Sequence, residues 1–540
     1  MIHLSAGGEW IRWDKEDEPV LMPIIGPDQV GKGYTAVIDS VVKKALSRGG
    51  QVQPALKRMV KAGKKERKHL RLIRSSEDRK KRPRRYPISR WKKAFPHQRI
   101  ALWYMDDRPA YLLADQPGVG KTAVAILWAS IRAKKRILVV TPGSARYQWA
   151  REIKRWSKLK PRTVVEGTIP EQAELLQRDG WVICHWEALA HCSEDVIKKH
   201  WDVVILDESH NIRNRKILRT KTAFNLAKKS DYRLALSGHP FISSPDELWT
   251  TLAFLYPEKY KSFWRFMGMH VEAVPCFHGG LTIVGSRQPK LLKWEIEPFT
   301  IRRTKKEVFP NLEEIARIGR HVNLDRRRRK EYEKLVEEIF VNLGDEEITL
   351  TNALTRTMRC RQYLVDPAIL GSKLPSLKYP IVEELMAELD GPPVIFTSFR
   401  QAADRLASYL GRKKFNVRQI TGKVKNKDRE KHKRLFLKGK LDALIVVTQA
   451  GGTALNLGKY GYVIFLDLPW SGADLEQAEA RVDRPEEDTG LLVPTTSFGI
   501  VTRNTYEDRL QQIILNKGRM FGEVFPTSAL GSLFNWRKAA

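Results

Sequence analysis

Short, almost wholly apolar runs recur along this chain, and longer stretches with apolar residues at helical spacing separate them. YLLA (111–114), RILVVT (136–141), WVICH (181–185), DVVILDE (202–208) and RLALSG (233–238) make a first series. PPVIFTS (392–398), DALIVVT (442–448) and YVIFLDL (462–468) make a second. Runs of this length, rich in β-branched residues, predict parallel strands buried on both faces beneath helices. The pattern therefore predicts an α/β fold with two doubly wound lobes, residues 94–256 and 376–520. Residues 257–375 include LDRRRRKEYEKLVEEIF and have no strand rhythm of comparable strength, so a mostly helical bridge or insertion is expected there. Residues 1–93 read as a basic extension and 521–540 as a tail.

Composition changes this picture in one respect. Lys and Arg number 96 against 62 Asp and Glu, a formal charge of +34, which makes a large polyanion the expected partner. Nucleic acid leads, because each neutralised phosphate releases counterions. An anionic membrane is disfavoured: the sequence has no uncharged apolar run near the length of a membrane span, and MIHLSAGGEWIRWDKEDE lacks the basic start and apolar core of a signal peptide. A soluble, intracellular protein is expected, in cytoplasm or nucleus. Cys184, Cys192, Cys276 and Cys360 show no CxxC spacing, so neither a zinc site nor a disulfide framework is expected. Basic residues dominate from Lys43 to Lys93 and end in KKRPRR (80–85), a composition open to a solvated arm, a DNA-contacting extension or an import signal.

Two motifs carry chemistry. In YLLADQPGVGKTAVAILWA an apolar strand runs into GVGKT and then an amphipathic helix. Backbone N–H groups of Gly118, Val119 and Gly120 suit phosphate oxygens, Lys121 suits the β and γ phosphates, and the Thr122 hydroxyl suits Mg2+. The strict loop pattern would put glycine where Asp115 stands. GPDQVGKG (26–33) is a rival, but it ends in Gly33, which has no hydroxyl for a metal. The second motif, ILDESH (205–210), ends a strand in two carboxylates. Asp207 is placed to hold the metal and Glu208 to orient and deprotonate an attacking water.

With these residues in view, the chain resembles the Swi/Snf group of helicase superfamily two. LLADQPGVGKT resembles that family's LADEMGLGKT, which also has aspartate at the place of Asp115; Gln116 and Pro117 replace its Glu and Met. FPHQRIALWYM resembles the adenine-reading segment, which gives Gln98 a role toward the base. VVTPGSARYQWAREIKRW and ICHWEAL resemble DNA-side segments, which implies nucleic-acid contact by Thr141, Pro142 and Trp149. LDESHNIRN resembles the DEAH-type box, and RLALSGHPFISSPDELW the coupling motif, implying coupling through His210, Ser237 and Gly238, with His239 where threonine is usual. PFTIRRTKKEV resembles a double-arginine element, and Arg302, Arg303, Lys305 and Lys306 are expected to border the DNA track.

In the second lobe, VIFTSFRQAADRL and TQAGGTALNL resemble two DNA-contacting motifs, implying Ser398, Gly451, Gly452 and Asn456. DLEQAEARVDR fits QxxxRxxR, so Gln477 is expected at the nucleotide and Arg481 and Arg484 as arginine fingers that act when the lobes close. The family's Gly and Gln after Arg484 are replaced by PEEDTG. The resemblance spans residues 94–515 and implies two RecA-like lobes, ATP and Mg2+ as cofactors, duplex or branched DNA held by its backbone, and unknown protein partners. It implies a double-stranded DNA translocase driven by ATP hydrolysis. A strand-separating or strand-annealing helicase shares the same motifs, whereas a non-catalytic nucleic-acid-binding protein with a dead ATPase site is disfavoured by the joint presence of Lys121, Thr122, Asp207, Glu208, Arg481 and Arg484. DESH and the SxPxEL pattern resemble the compact annealing-helicase branch.

Overall fold

The apolar runs form the central strands of two seven-stranded sheets, each parallel throughout. The computed structural model describes residues 86–507 except 242–243, 276–280, 310–312, 342–349, 449–454 and 485–492, together with short strands at 3–4, 10–12, 34–36 and 537–538. The 26–33 loop rival, the basic run 43–85, Gly451, Gly452, PEEDTG and nearly all of the 521–540 tail lie outside the described residues.

The first sheet uses β1 (Ala110–Leu113), β2 (Arg136–Thr141), β3 (Arg162–Val164), β4 (Gly180–His185), β5 (Trp201–Asp207) and β6 (Ser230–Leu236). An antiparallel hairpin, β7 (Val271–Pro275) and β8 (Leu281–Ser286), follows, and then β9 (Thr300–Ile301). Their order is β9-β1-β6-β5-β2-β4-β3. The second sheet uses β10 (Ala316–Val322), β11 (Val394–Thr397), β12 (Val417–Ile420), β13 (Ala443–Val447), β14 (Tyr462–Phe465), β15 (Thr496–Thr502) and β16 (Arg537–Lys538), in the order β12-β13-β11-β14-β15-β10-β16.

Seven helices matter below: α1 (Pro96–Tyr104), α2 (Lys121–Ser130), α3 (Arg146–Trp156), α4 (Arg326–Val341), α5 (Leu350–Val365), α6 (Lys378–Glu388) and α7 (Gly472–Glu479). No helix among the described residues is long and apolar enough to cross a membrane.

Why the apolar runs lack polar gaps is visible in β13. Ala443, Ile445 and Val447 enter one core, while Leu444 and Val446 enter another on the opposite face of the sheet. In the first lobe Val203, Val204, Ile205 and Leu206 are all fully buried within a single large core. Helix cover on both faces leaves no wet side to alternate toward.

Residues 257–375, expected as a mostly helical bridge or insertion, carry helices and, among the described residues, four short strands. β9 extends the first sheet beside β1, and β10 lies inside the second sheet between β15 and β16. Helices α4 and α5 follow and pack together around Tyr332, Cys360, Tyr363 and Leu364. The two strands escape an apolar-run reading because β9 is only two residues long and β10, ARIGRHV, is interrupted by Arg317, Arg320 and His321.

Lys378 on α6 fastens the second lobe internally. Its fully buried ammonium donates to the Leu466 carbonyl (3.0 Å), the Ile500 carbonyl (2.9 Å) and Glu507 Oε1 (2.7 Å).

Candidate nucleotide site between the lobes

Parallel pairing brings the carboxyl ends of the first lobe's strands to one edge. Leu113 of β1 pairs with Leu236 of β6, Asp207 of β5 with the same Leu236, and Val140 of β2 with Leu206. The segments just beyond these positions are therefore neighbours: the phosphate loop, Thr141, the Asp207–Glu208 pair and Ser237. At the start of α2, Gly120 has φ 92°, a left-handed conformation that a side chain resists. A Cβ there would also meet Gln98 Nε2 at 2.6 Å.

The loop is braced from several sides. Gln98 accepts from the Phe95 N–H (2.9 Å) and donates to the Gly120 carbonyl (3.3 Å), and His97 Nε2 bonds the Val119 carbonyl (2.9 Å). Gln98 thus borders the cavity, its amide engaged by the Phe95 N–H and the Gly120 carbonyl. Asp115 also departs from expectation as a nucleotide contact. Its carboxylate is buried in a bidentate pair with Arg303, and only its carbonyl faces Lys121.

Lys121 Nζ donates to the Asp115 carbonyl (2.7 Å) and the Gln116 carbonyl (3.3 Å). Burial pulls its pKa down, while Glu208, Asp115 and Asp207 push it up.

Asp207 is held by two donors on one oxygen: the Thr141 hydroxyl at 2.7 Å and the Trp149 indole N–H at 2.8 Å. Burial, with Glu208 alongside, pushes its carboxyl up to about 6. Glu208 follows at φ 52°, a conformation rare for a side chain of its size, which the Asn211 main-chain and side-chain amides stabilise by donating to the Glu208 carbonyl (3.0 and 2.9 Å). Burial raises the Glu208 pKa against the pull of Lys121 and Gln477. His210 Nδ1 lies 3.2 Å from Ser237 Oγ and 3.4 Å from Glu208 Oε2, and burial lowers the imidazole to about 4, so it is neutral at pH 7. Gly238 is packed tightly against the loop: a Cβ there would lie 2.8 Å from the Pro117 ring.

The second lobe completes the site. Gln477 Nε2 on α7 donates to Glu208 Oε1 (3.1 Å), and His239 Nε2 lies 2.8 Å from Glu476 Oε2 on the same helix. A cavity of about 280 Å3 is bordered by Gly118, Gly120, Lys121, Thr122, Asp207 and Glu208 from one lobe and by Gln477 and Arg484 from the other. Arg481 lies behind this wall. It is buried with its guanidinium 6.0 Å from the Phe396 ring, its Nε and Nη1 have no hydrogen-bond partner among the described residues, and burial and Arg484 lower it to about 10.

Four expected nucleic-acid contacts face inward instead. Thr141 is fully buried and Trp149 is 2% exposed, both on Asp207, because α3 turns the indole toward the strand end and not outward. Arg302 Nη1 donates to the Ala114 carbonyl (2.6 Å) and the Gly238 carbonyl, and Arg303 grips Asp115 and the His97 carbonyl. These guanidiniums satisfy main-chain carbonyls and a buried carboxylate. Pro142, Ser398 and Asn456 are half-buried away from the cavity lining. Ser398 is itself tied down, its N–H donating to Asp467 (2.9 Å) and its hydroxyl accepting from Arg361 (3.2 Å).

Sequence reasoning also missed Phe95. Its ring is 59% exposed and borders the cavity, an aromatic face available to a planar base. The signal was an aromatic residue directly before the Pro-His-Gln that opens α1.

Two parallel-sheet lobes that share one phosphate-loop cavity define a class: the two-lobed core of helicase-type nucleotide motors. The SNF2-related domain matches residues 52–369, and the helicase conserved C-terminal domain matches 377–486. With more than half its length matched, the chain belongs to the SNF2-related family.

Among similar proteins, the human SWI/SNF-related matrix-associated actin-dependent regulator of chromatin subfamily A member 1 is 26% identical over 453 residues, covering 76% of this chain and 42% of that protein. The ISWI chromatin-remodeling complex ATPase of Saccharomyces cerevisiae is 26% identical over 455 residues, covering 76% and 38%. The chain thus spans less than half the length of these curated relatives. A solved Sulfolobus solfataricus SWI2/SNF2 ATPase core in complex with dsDNA is 21% identical with a TM-score of 0.37, covering 80% of this chain and 97% of that one.

Proposed function

We propose that this protein hydrolyses ATP in a duplex-DNA-stimulated cycle and uses that cycle to move along or remodel DNA. The observation that carries the reading is the composite cavity, with Lys121, Asp207 and Glu208 from one lobe facing Gln477 and Arg484 from the other. Loop N–H groups and Lys121 bind the phosphates. Glu208, its carboxylate aligned by Gln477, takes the proton of the attacking water. Arg484 offsets charge on the transferred phosphoryl, and Arg481, with two unsatisfied nitrogens beside it, is a second donor that closure delivers.

The site also fits Mg2+. Asp207 accepts both of its hydrogen bonds on one oxygen, and burial makes its ionised form one that a cation would stabilise. The Thr122 hydroxyl and Asp207 would hold the ion, which when bound neutralises charge on the β and γ phosphates.

The test is ATP turnover measured in parallel with no nucleic acid, single-stranded DNA, duplex DNA and RNA. Duplex is expected to stimulate most. Equal stimulation by single-stranded RNA would sink the duplex assignment, and no turnover under any condition would sink the ATPase itself.

A further inference from the structure

Lys305, expected from sequence to border the DNA, is instead 14% exposed in its side chain and lies between the lobes. The segment that carries it is stitched to the phosphate loop. Ala114 N–H donates to the Ile301 carbonyl (2.7 Å), Gln116 N–H to the Arg303 carbonyl (3.0 Å), and Lys305 N–H to Gln116 Oε1 (2.7 Å). The Lys305 stem runs along the loop's turn, so a Cβ on Gly118 would sit 3.0 Å from Lys305 Cε. Its ammonium then crosses to the second lobe, donating to the Asp483 carbonyl at 2.6 Å and to the Asp483 carboxylate. Asp483 is 4% exposed and stands between Arg481 and Arg484 in sequence.

Burying these two charges is unfavourable unless each has the other, whereas an exposed pair of the same type gains little. The contact therefore acts chiefly when the Asp483 turn is seated against the loop. We infer that Lys305 is a positioning residue, which registers the arginine-bearing turn of the second lobe against the back of the phosphate loop. The inference rests on the cavity being an ATP site. Through Gln116, the residue that answers to glutamate in the resembling family, a shift of the loop passes along one side chain to the turn holding Arg481 and Arg484.

The experiment pairs Lys305→Met, which keeps the stem and removes the charge, with Asp483→Asn and the double variant. Each single change is expected to lower kcat for duplex-stimulated hydrolysis at least about tenfold, as misplacement of a catalytic group does. KM for ATP should stay within about threefold, because the loop's own phosphate contacts remain. The double variant should be no slower than the slower single, since both remove one contact. Amide hydrogen exchange across residues 472–484, measured without nucleotide, should be faster in Lys305→Met than in wild type.

Unchanged kcat, a loss confined to KM, losses that multiply in the double variant, or unchanged exchange would each overturn the inference. If Lys305→Met does not fold, Asp483→Asn carries the same comparison. Wild-type protein with no ATP turnover would refute the ATP-site reading, and the exchange result would then decide the role of Lys305 separately.

Discussion

A carboxylate held by two donors has little freedom in where it points, and Asp207 is held by Thr141 and Trp149. Trp149→Phe keeps an aromatic ring, though a smaller one, and removes one charged hydrogen bond, an interaction worth about 1.5–3 kcal/mol. It is expected to lower kcat at saturating DNA about tenfold or more, leaving the DNA concentration for half-maximal stimulation unchanged. The opposite pattern would return Trp149 to a DNA-contacting role. Lys121→Ala and Glu208→Gln each remove a transition-state interaction and are expected to cut turnover by at least about 100-fold, read by phosphate release. These residues were legible because phosphate and water chemistry demands particular types at short spacing. Trp149, Thr141, Arg302 and Arg303 were not, because each finds its partner 58 or more residues away in sequence, and periodicity says nothing of which way such a side chain turns.

At the scale of elements, α7 and the loop carrying His239 make the contact most open to a pH test. Burial pushes Glu476 up to about 7, and His239 is held well below its usual range by burial and nearby cations. A carboxyl whose folded pKa lies above its unfolded one makes the native state relatively less stable as pH rises beyond the unfolded value. Glu476→Gln removes this ionisation, so its Tm relative to wild type is expected to increase between pH 5 and pH 8 in calorimetry; a pH-independent difference would count against the assignment. Lys378 offers a second case, since Lys378→Met strands the buried Glu507 carboxylate and is expected to cost about 3–5 kcal/mol in denaturant melts. The long buried strands were legible from their unbroken apolar runs. β9 and β10 were not, since a two-residue strand has no period and β10 is broken by Arg317, Gly319, Arg320 and His321.

For the whole molecule, the charge of +34 makes a polyelectrolyte prediction. Half-saturating duplex concentration should climb steeply with NaCl, with a log–log slope of about 0.9 per phosphate neutralised. Salt-insensitive stimulation would argue against backbone binding. The chain leaves the first sheet at Ile301 and enters the second at Ala316, and the strand end where it leaves is bonded directly to the phosphate loop. If the proposed cycle opens and closes the lobes, its pivot would thus be seated at the combustion chamber. Displacement about a pivot grows with radius, so a slight rearrangement at the phosphates would then swing the rims of both lobes through a much longer arc, with a stroke length set by the breadth of the sheets.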